Sequence, residues 1–175
     1  MLQKVFFVLP FFILPLIGCS QSKHVHPPCE NAAFDLMLEN LLNFSVPLVS
    51  CEEVQRNRLK YTLLDARELE EYNVSHLPGA KFVGYEQFNL SVVQNLDKSK
   101  PIVVYCSVGY RSEKIAEKLI GAGFRNVKNL YGSIFEWTNK GYPLNDGSGK
   151  NVQKLHTYNQ QWSKWVNRTS IQKVY

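Results

Sequence analysis

The sequence predicts an α/β fold, a parallel sheet covered by helices on both faces. Three observations carry the prediction. Short apolar runs recur at residues 61–64, 81–83, 102–105 and 127–130, helical patterns lie between them, and 175 residues that are 45% apolar and 20% charged suffice for one domain with its own core. Phe34, Met37, Leu38, Leu41 and Leu42 follow the i, i+3, i+4, i+7, i+8 spacing of an amphipathic helix, which is core packing and not a cofactor box. Ser50 with Glu53 three residues on is a capping box for a second short helix. After the strand at 61–64 and the strand Lys81-Phe82-Val83, residues 88–96 read as helical. The apolar strand at 102–105 precedes a helix over 112–120, which Gly121 and Gly123 are expected to close. The strand at 127–130 follows, and Asn145-Asp146-Gly147-Ser148-Gly149 is a turn. Residues 31–145 therefore form the domain, with its N-terminal helix. In residues 146–175, Tyr158, Trp162, Trp165 and Val166 are spaced to share one face of a helical extension packed back on it.

Residues 1–18 stand apart. Lys4 followed by an apolar run to Ile17 reads as a secretory signal, too short for a span of about 20 residues and interrupted by Pro10 and Pro15. Leu16-Ile17-Gly18-Cys19 resembles a bacterial lipobox, so Cys19 is expected to become the acylated N-terminus, anchored on the periplasmic side of the cell envelope. Ser20 and Gln21, in place of Asp, favour the outer over the inner membrane. Residues 19–30 read as a polar tether. His24 and His26 are expected to be solvated there and not metal ligands, because no carboxylate follows nearby. Cys29 and Cys51 fit either a disulfide, as export would allow, or two unpaired thiols, since sequence does not place their Cα atoms. The net charge of +5 is modest and its basic residues are scattered, which argues against a nucleic-acid partner. No metal or cofactor is expected, and a monomer is.

The chemistry is concentrated in Cys106-Ser107-Val108-Gly109-Tyr110-Arg111-Ser112, between an apolar strand and a helix. Ligands of open α/β sheets bind beyond strand carboxyl ends, where a helix N-terminus offers unpaired N–H groups and about half a positive charge. A cysteine held there beside Arg111 is favoured as thiolate, the nucleophilic form. Gly109 permits the backbone angles that let the loop curl around the sulfur. A lone cysteine is more often a buried core thiol. The C-x4-R-S spacing between strand and helix reverses that reading, because a core cysteine needs no arginine five residues on.

With these residues in view, the chain resembles a single-domain rhodanese. Cys106 to Ser112 match that family's loop. Upstream it has Asp65-Ala66-Arg67, Glu71-Tyr72 and His76-Leu77-Pro78-Gly79-Ala80; downstream, Gly123-Phe124-Arg125-Asn126-Val127, Leu130, Gly132, Trp137 and Gly141-Tyr142-Pro143. The likeness covers about residues 45–145. Ser133 departs from it where a second glycine is common, which is expected to touch a turn and not the loop. The resemblance implies a rhodanese-like three-layer fold with a five-stranded parallel sheet, and a sulfurtransferase that carries sulfane sulfur as a Cys106 persulfide. On that model Arg111 would attract an anionic donor such as thiosulfate. The amides of Ser107, Val108, Gly109, Tyr110 and Ser112 would cradle the outer sulfur, with Val108 and Tyr110 lining the entrance. Asp65, Arg67 and His76 would brace the site. The partners implied are a small sulfur donor and a thiol or cyanide acceptor, with a protein acceptor also open. Two rivals remain: a phosphatase or arsenate reductase, disfavoured because those loops usually carry five residues between Cys and Arg, and a non-catalytic binding module, disfavoured by the retained Cys106, Gly109 and Arg111.

Overall fold

The computed structural model describes residues 25–175. The expected signal segment 1–18, Cys19 and His24 lie outside the described residues. Five parallel strands form the central sheet in the order β1 (Leu48–Val49), β5 (Val127–Leu130), β4 (Ile102–Tyr105), β2 (Thr62–Asp65), β3 (Lys81–Phe82). The α-helices are α1 (Ala32–Leu41), α2 (Cys51–Arg56), α3 (Leu69–Val74), α4 (Tyr110–Gly121) and α5 (Ser133–Asn139). The α/β class and the five-stranded parallel sheet thus match the expectation. β4 is central and wholly buried, and its side chains alternate between two cores. Val103 and Tyr105 pack in one cluster with Phe34, Leu38 and Trp137. Ile102, Val104 and Cys106 pack in the other with Ile115, Leu119 and Phe124. Each fully buried aliphatic or aromatic side chain contributes about 1.5–3 kcal/mol by leaving water, so these two layers dominate the stability.

Local chemistry explains the ends of the elements. Asn31 caps α1 by accepting from the amides of Ala33 and Phe34. α1 then stops because the buried Glu113 carboxylate takes the amides of Asn43 and Ser45, both at 3.0 Å, and bends the chain toward β1. Ser50 Oγ caps α2 by accepting from the Glu53 amide, but the Glu53 carboxylate turns away to Tyr61 and Lys128, so only half of the expected capping box forms. At the end of α4 the left-handed residue is Gly123, at φ +91°, whereas Gly121 is the last helical residue.

Three expectations are corrected. Residues 88–96 hold only a 3-10 turn, Leu90–Val93, because Val93 alone is buried there while Leu90 and Val92 face solvent. The extension 146–175 is mainly extended: β6 (Leu144–Asn145) pairs with β7 (Asn151–Val152), β8 (Lys154–His156) pairs in parallel with β9 (Gln172–Val174), and a 3-10 turn Trp162–Trp165 is its helical part. A continuous helix is broken before the turn by Tyr158 at φ +67° and after it by the extended Val166. Asn139 fixes that exit by donating to the Trp165 carbonyl and accepting from the Asn167 amide.

The third correction concerns residues 25–30, the described part of the expected tether, whose His26 and Cys29 side chains pack against the domain while Val25 and Glu30 face solvent. The His26 ring stacks on Tyr131 at 4.5 Å, and its side chain is 4% exposed. α1 brings it the two carboxylates that the local sequence lacked, so ligand-type atoms of His26, Asp35 and Glu39 lie within 4.8 Å of one another. These atoms already have protein partners: Nε2 of His26 meets Glu39 at 2.9 Å, and Asp35 accepts from the Tyr131 hydroxyl and the Cys29 amide. Nδ1 meets the Pro27 carbonyl at 3.1 Å, so both ring nitrogens face acceptors, the arrangement of an imidazolium. Burial opposes that charge, but the bonds to Glu39 and Pro27 and the Asp35 charge outweigh it and raise the His26 pKa. The stabilisation is therefore complete below the unfolded value of about 6.5 and is lost as pH rises through the higher folded value. The stability difference between the parent and His26→Ala should accordingly shrink as pH is raised from about 5.5 to about 9. A difference constant over that range in thermal unfolding counts against the imidazolium.

Candidate active site

The loop from Cys106 to Gly109 joins the carboxyl end of β4 to the N-terminus of α4, with Gly109 as cap at φ +124°. That angle is barred to most side chains, and it turns the Gly109 amide back onto the thiol: N–H donates to Sγ at 3.1 Å. The Ser112 hydroxyl lies 3.5 Å from the same sulfur. Its single proton has a better acceptor in Asn129 Oδ1 at 2.7 Å, while Asn129 Nδ2 donates to the Gly109 carbonyl at 2.9 Å. Asn129, fully buried in β5, thereby locks the strained glycine in place.

The loop carbonyls are held away from the sulfur by α5. The amides of Ile134 and Phe135 donate to the carbonyls of Cys106 and Ser107. Ser133 reaches the loop as well: its Oγ accepts from the Cys106 amide at 3.0 Å. The expectation that this residue touches only a turn is therefore corrected. Ser133 adopts φ +52°, the left-handed region that favours glycine, and its hydroxyl supplies a bond that glycine lacks.

Arg111 lines the same cavity as Cys106 and feels its charge, but its hydrogen bonds go elsewhere. Its guanidinium grips Glu71 through both ends, at 2.7 and 2.9 Å, and donates to Ser107 Oγ at 2.9 Å. Glu71 also accepts from Ser107 Oγ and from the Glu68 amide. Burial works to raise the Glu71 pKa, but the bond and charge of Arg111, with Arg67 behind, hold it below the ordinary carboxylate range. The result is a fork linking α3 to the loop, and it spends most of the Arg111 charge on an internal partner.

Behind this fork, Asp65 and Arg67 form a fully buried pair, with Nη2 to Oδ2 at 2.7 Å and Nε to Oδ1 at 3.0 Å. Arg67 also donates to the Ser75 carbonyl at 2.6 Å, which ties the end of β2 to the end of α3. His76 stacks on Tyr72 at 4.0 Å, bonds the Tyr72 carbonyl, and exchanges backbone bonds with Asn145. It braces α3 and is not among the residues lining the cavity at the sulfur.

Cys106 is 1% exposed, yet it contributes to the floor of a cavity of about 350 Å3. Val108, Tyr110 and Arg111 line it from the loop. Leu41, Tyr158 and Trp162 close the other side, and nothing in the local pattern around Cys106 marks them. Cys29 and Cys51, open between disulfide and thiols, are two free buried thiols. Burial first, then the charge of Glu136, pushes both pKa values up, so neither is a ready nucleophile. No described helix is long and apolar enough to cross a membrane.

A family profile described as the rhodanese-like domain matches residues 50–140. An adenylyltransferase and sulfurtransferase of Candida albicans, UBA4, is 30% identical over 120 residues, covering 63% of this chain and 26% of that protein. The thiosulfate sulfurtransferase GlpE of Coxiella burnetii is 29% identical over 75 residues, 43% of this chain and 69% of that one. A solved thiosulfate sulfurtransferase of Pseudomonas aeruginosa superposes with TM-score 0.53 at 27% identity, covering 69% of this chain and 23% of that one. This chain thus spans about a quarter of the Candida relative's length and of the Pseudomonas chain.

Proposed function

Since the chain belongs to the rhodanese-like domain family, we propose that it is a sulfurtransferase moving sulfane sulfur from a donor such as thiosulfate to a thiophilic acceptor through a persulfide on Cys106. The Cys106 thiolate attacks the outer sulfur of thiosulfate. The S–S bond of the donor breaks, sulfite leaves with its electron pair, and the new S–S bond leaves a persulfide anion on the enzyme. A thiolate or cyanide then takes that outer sulfur, forming a persulfide or thiocyanate, and the Cys106 thiolate returns. No net redox change or cofactor is needed. The observation that carries this reading is the Gly109 amide aimed at Sγ from a loop whose Cys106 and Ser107 carbonyls are bonded elsewhere. Such preorganised donors stabilise charge on a transferred atom without reorganising at the moment of reaction.

The four residues between Cys106 and Arg111, and the commitment of Arg111 to Glu71, support a cradle for one sulfur atom over one for a tetrahedral phosphate. The address belongs to the same proposal: the lipobox residues support tethering through a lipid on Cys19 at the cell envelope, on the outer membrane, where the protein would act as a monomer on a thiol acceptor within its reach. Intact mass spectrometry after thiosulfate treatment tests the chemistry. One added sulfur atom is expected, discharged by cyanide as thiocyanate. Aryl phosphate hydrolysis without sulfur uptake overturns it.

A further inference from the structure

Resting on that sulfurtransferase reading, we infer that the cavity over Cys106 selects donors R–S–SH whose organic group R is uncharged and apolar, the class of aryl and alkyl hydropersulfides, through a wall built by Tyr158 and Trp162. The loop floor belongs to the family-matched region 50–140, whereas Leu41, Tyr158 and Trp162 lie outside it. That side of the cavity is therefore built from residues outside the family-matched region.

The charges around the cavity disfavour an anionic donor. Arg111 is the cation among the described residues lining it, and Glu71 already holds that guanidinium from two sides. Glu68 and Glu86 also line the cavity, and their carboxylates give its rim the opposite sign to that which thiosulfate requires. Beyond Ser107 and the loop amide at Sγ, what remains to recognise a substrate is largely apolar: Leu41, Val108, and the rings of Tyr85, Tyr110, Tyr158 and Trp162. A volume of about 350 Å3 is far more than one sulfur atom or a sulfite group fills, and is within the range of small-molecule sites.

Tyr158 is held over the site on purpose-built backbone. It is 54% exposed and sits at φ +67°, a conformation costly for a bulky residue, so packing does not explain its position. The turn is fixed by the Asn159 amide on the Thr157 carbonyl, by the Thr157 amide on the Val174 carbonyl, and by the Tyr158 amide on His156 Nδ1. The β8–β9 pair thus points the ring at Arg111, 5.5 Å from Cζ, where it stacks on the guanidinium instead of leaving it open to an anion. Trp162 follows one turn later, and its amide bonds Asn159 Oδ1. In the reaction, the Cys106 thiolate attacks the terminal sulfur of R–S–SH. The donor S–S bond breaks, R–S⁻ leaves with the electron pair, and Cys106–S–SH forms. The group R is what the aromatic wall covers.

The test uses the full chain with benzyl hydropersulfide and glutathione hydropersulfide, which share the reacting group and differ in charge, and with thiosulfate as reference. The rate of sulfur gain on Cys106 is followed by intact mass, and the benzyl-to-glutathione ratio is taken relative to that for free cysteine. A ratio raised by about tenfold or more is expected, falling back by about that factor in Tyr158→Ala and in Trp162→Ala and surviving in Tyr158→Phe, since one aromatic contact is of that size. A ratio equal to that of free cysteine, or one that both alanine variants leave intact, overturns the selection while leaving the sulfurtransferase reading in place. Sulfur gain from none of the three donors removes both.

Discussion

Cys106→Ser is expected to take up no sulfur from thiosulfate, a loss of at least about 10³-fold in transfer rate, because a hydroxyl in place of the thiol removes the group that forms the S–S bond. Folding should survive the change. Serine is close to cysteine in volume, the Gly109 amide that met Sγ at 3.1 Å can still donate to Oγ, and the backbone bonds of Cys106 to Ser133 and Ile134 do not involve the side chain. The variant therefore separates chemistry from stability: circular dichroism and the unfolding midpoint should match the parent, while intact mass shows no added sulfur. Cys29 and Cys51 remain in the variant and act as its internal control. Both are buried, with pKa values raised by that burial, so they are poor sulfur acceptors. Sulfur gain that persists in Cys106→Ser and maps to either of them would show that the carrier lies elsewhere.

How much of this site is legible in the sequence depends on the range of the interactions. The strand 102–105, the loop and α4 are contiguous, and each step carries a local signal: an apolar run, a cysteine, a glycine at a position that must take φ +124°, then a helix. Asp65 and Arg67 are two residues apart, so their pairing is also a local matter. Glu71 and Asn129 are different. They stand 40 residues before Arg111 and 17 after Ser112, and nothing near either says that its polar group will be buried against the loop. Two signals could have singled them out: an Asn at an inward position of the short strand Val127–Leu130, and the acid of the shared upstream motif. Ser133 stands in the sequence as a departure from glycine, but only the structure shows that the cost of its left-handed backbone coincides with a bond to Cys106. The tail misleads for a physical reason. Its aromatic spacing matches a helical face, yet Tyr158 turns left-handed and Val166 extends, because β8 and β9 satisfy the flanking backbone in a small sheet. Spacing reports which residues share a face only when the intervening backbone is free to be helical.

Replacing Asp65 by Ala should destabilise the domain by about 3–5 kcal/mol, a large share of a typical stability of about 5–15 kcal/mol. The Asp65–Arg67 pair is 0% exposed on both sides, so water does not replace the lost carboxylate. Arg67 would keep the Ser75 carbonyl at 2.6 Å, while its Nη1 already has no hydrogen-bond partner among the described residues. Asp65 also accepts from the Arg67 amide at 3.0 Å, so the loss extends to a buried backbone donor. With urea dependences of about 1–3 kcal/mol per molar for small domains, the unfolding midpoint should fall by about 1–5 M. The cost comes chiefly from stranding a buried charge and less from losing an attraction, and a second substitution separates the two. Asp65→Ala combined with Arg67→Met should recover much of the stability, because the methionine fills the space without a charge to compensate. Sulfur transfer is expected to recover less than stability does. The Arg67 guanidinium ties β2 to the carbonyl end of α3, the helix that carries Glu71, and Glu71 in turn holds Arg111 and Ser107 in the loop. A double variant as unstable as Asp65→Ala would show that the pair is held by attraction. One that regains full transfer rate would show that the loop keeps its shape without the brace.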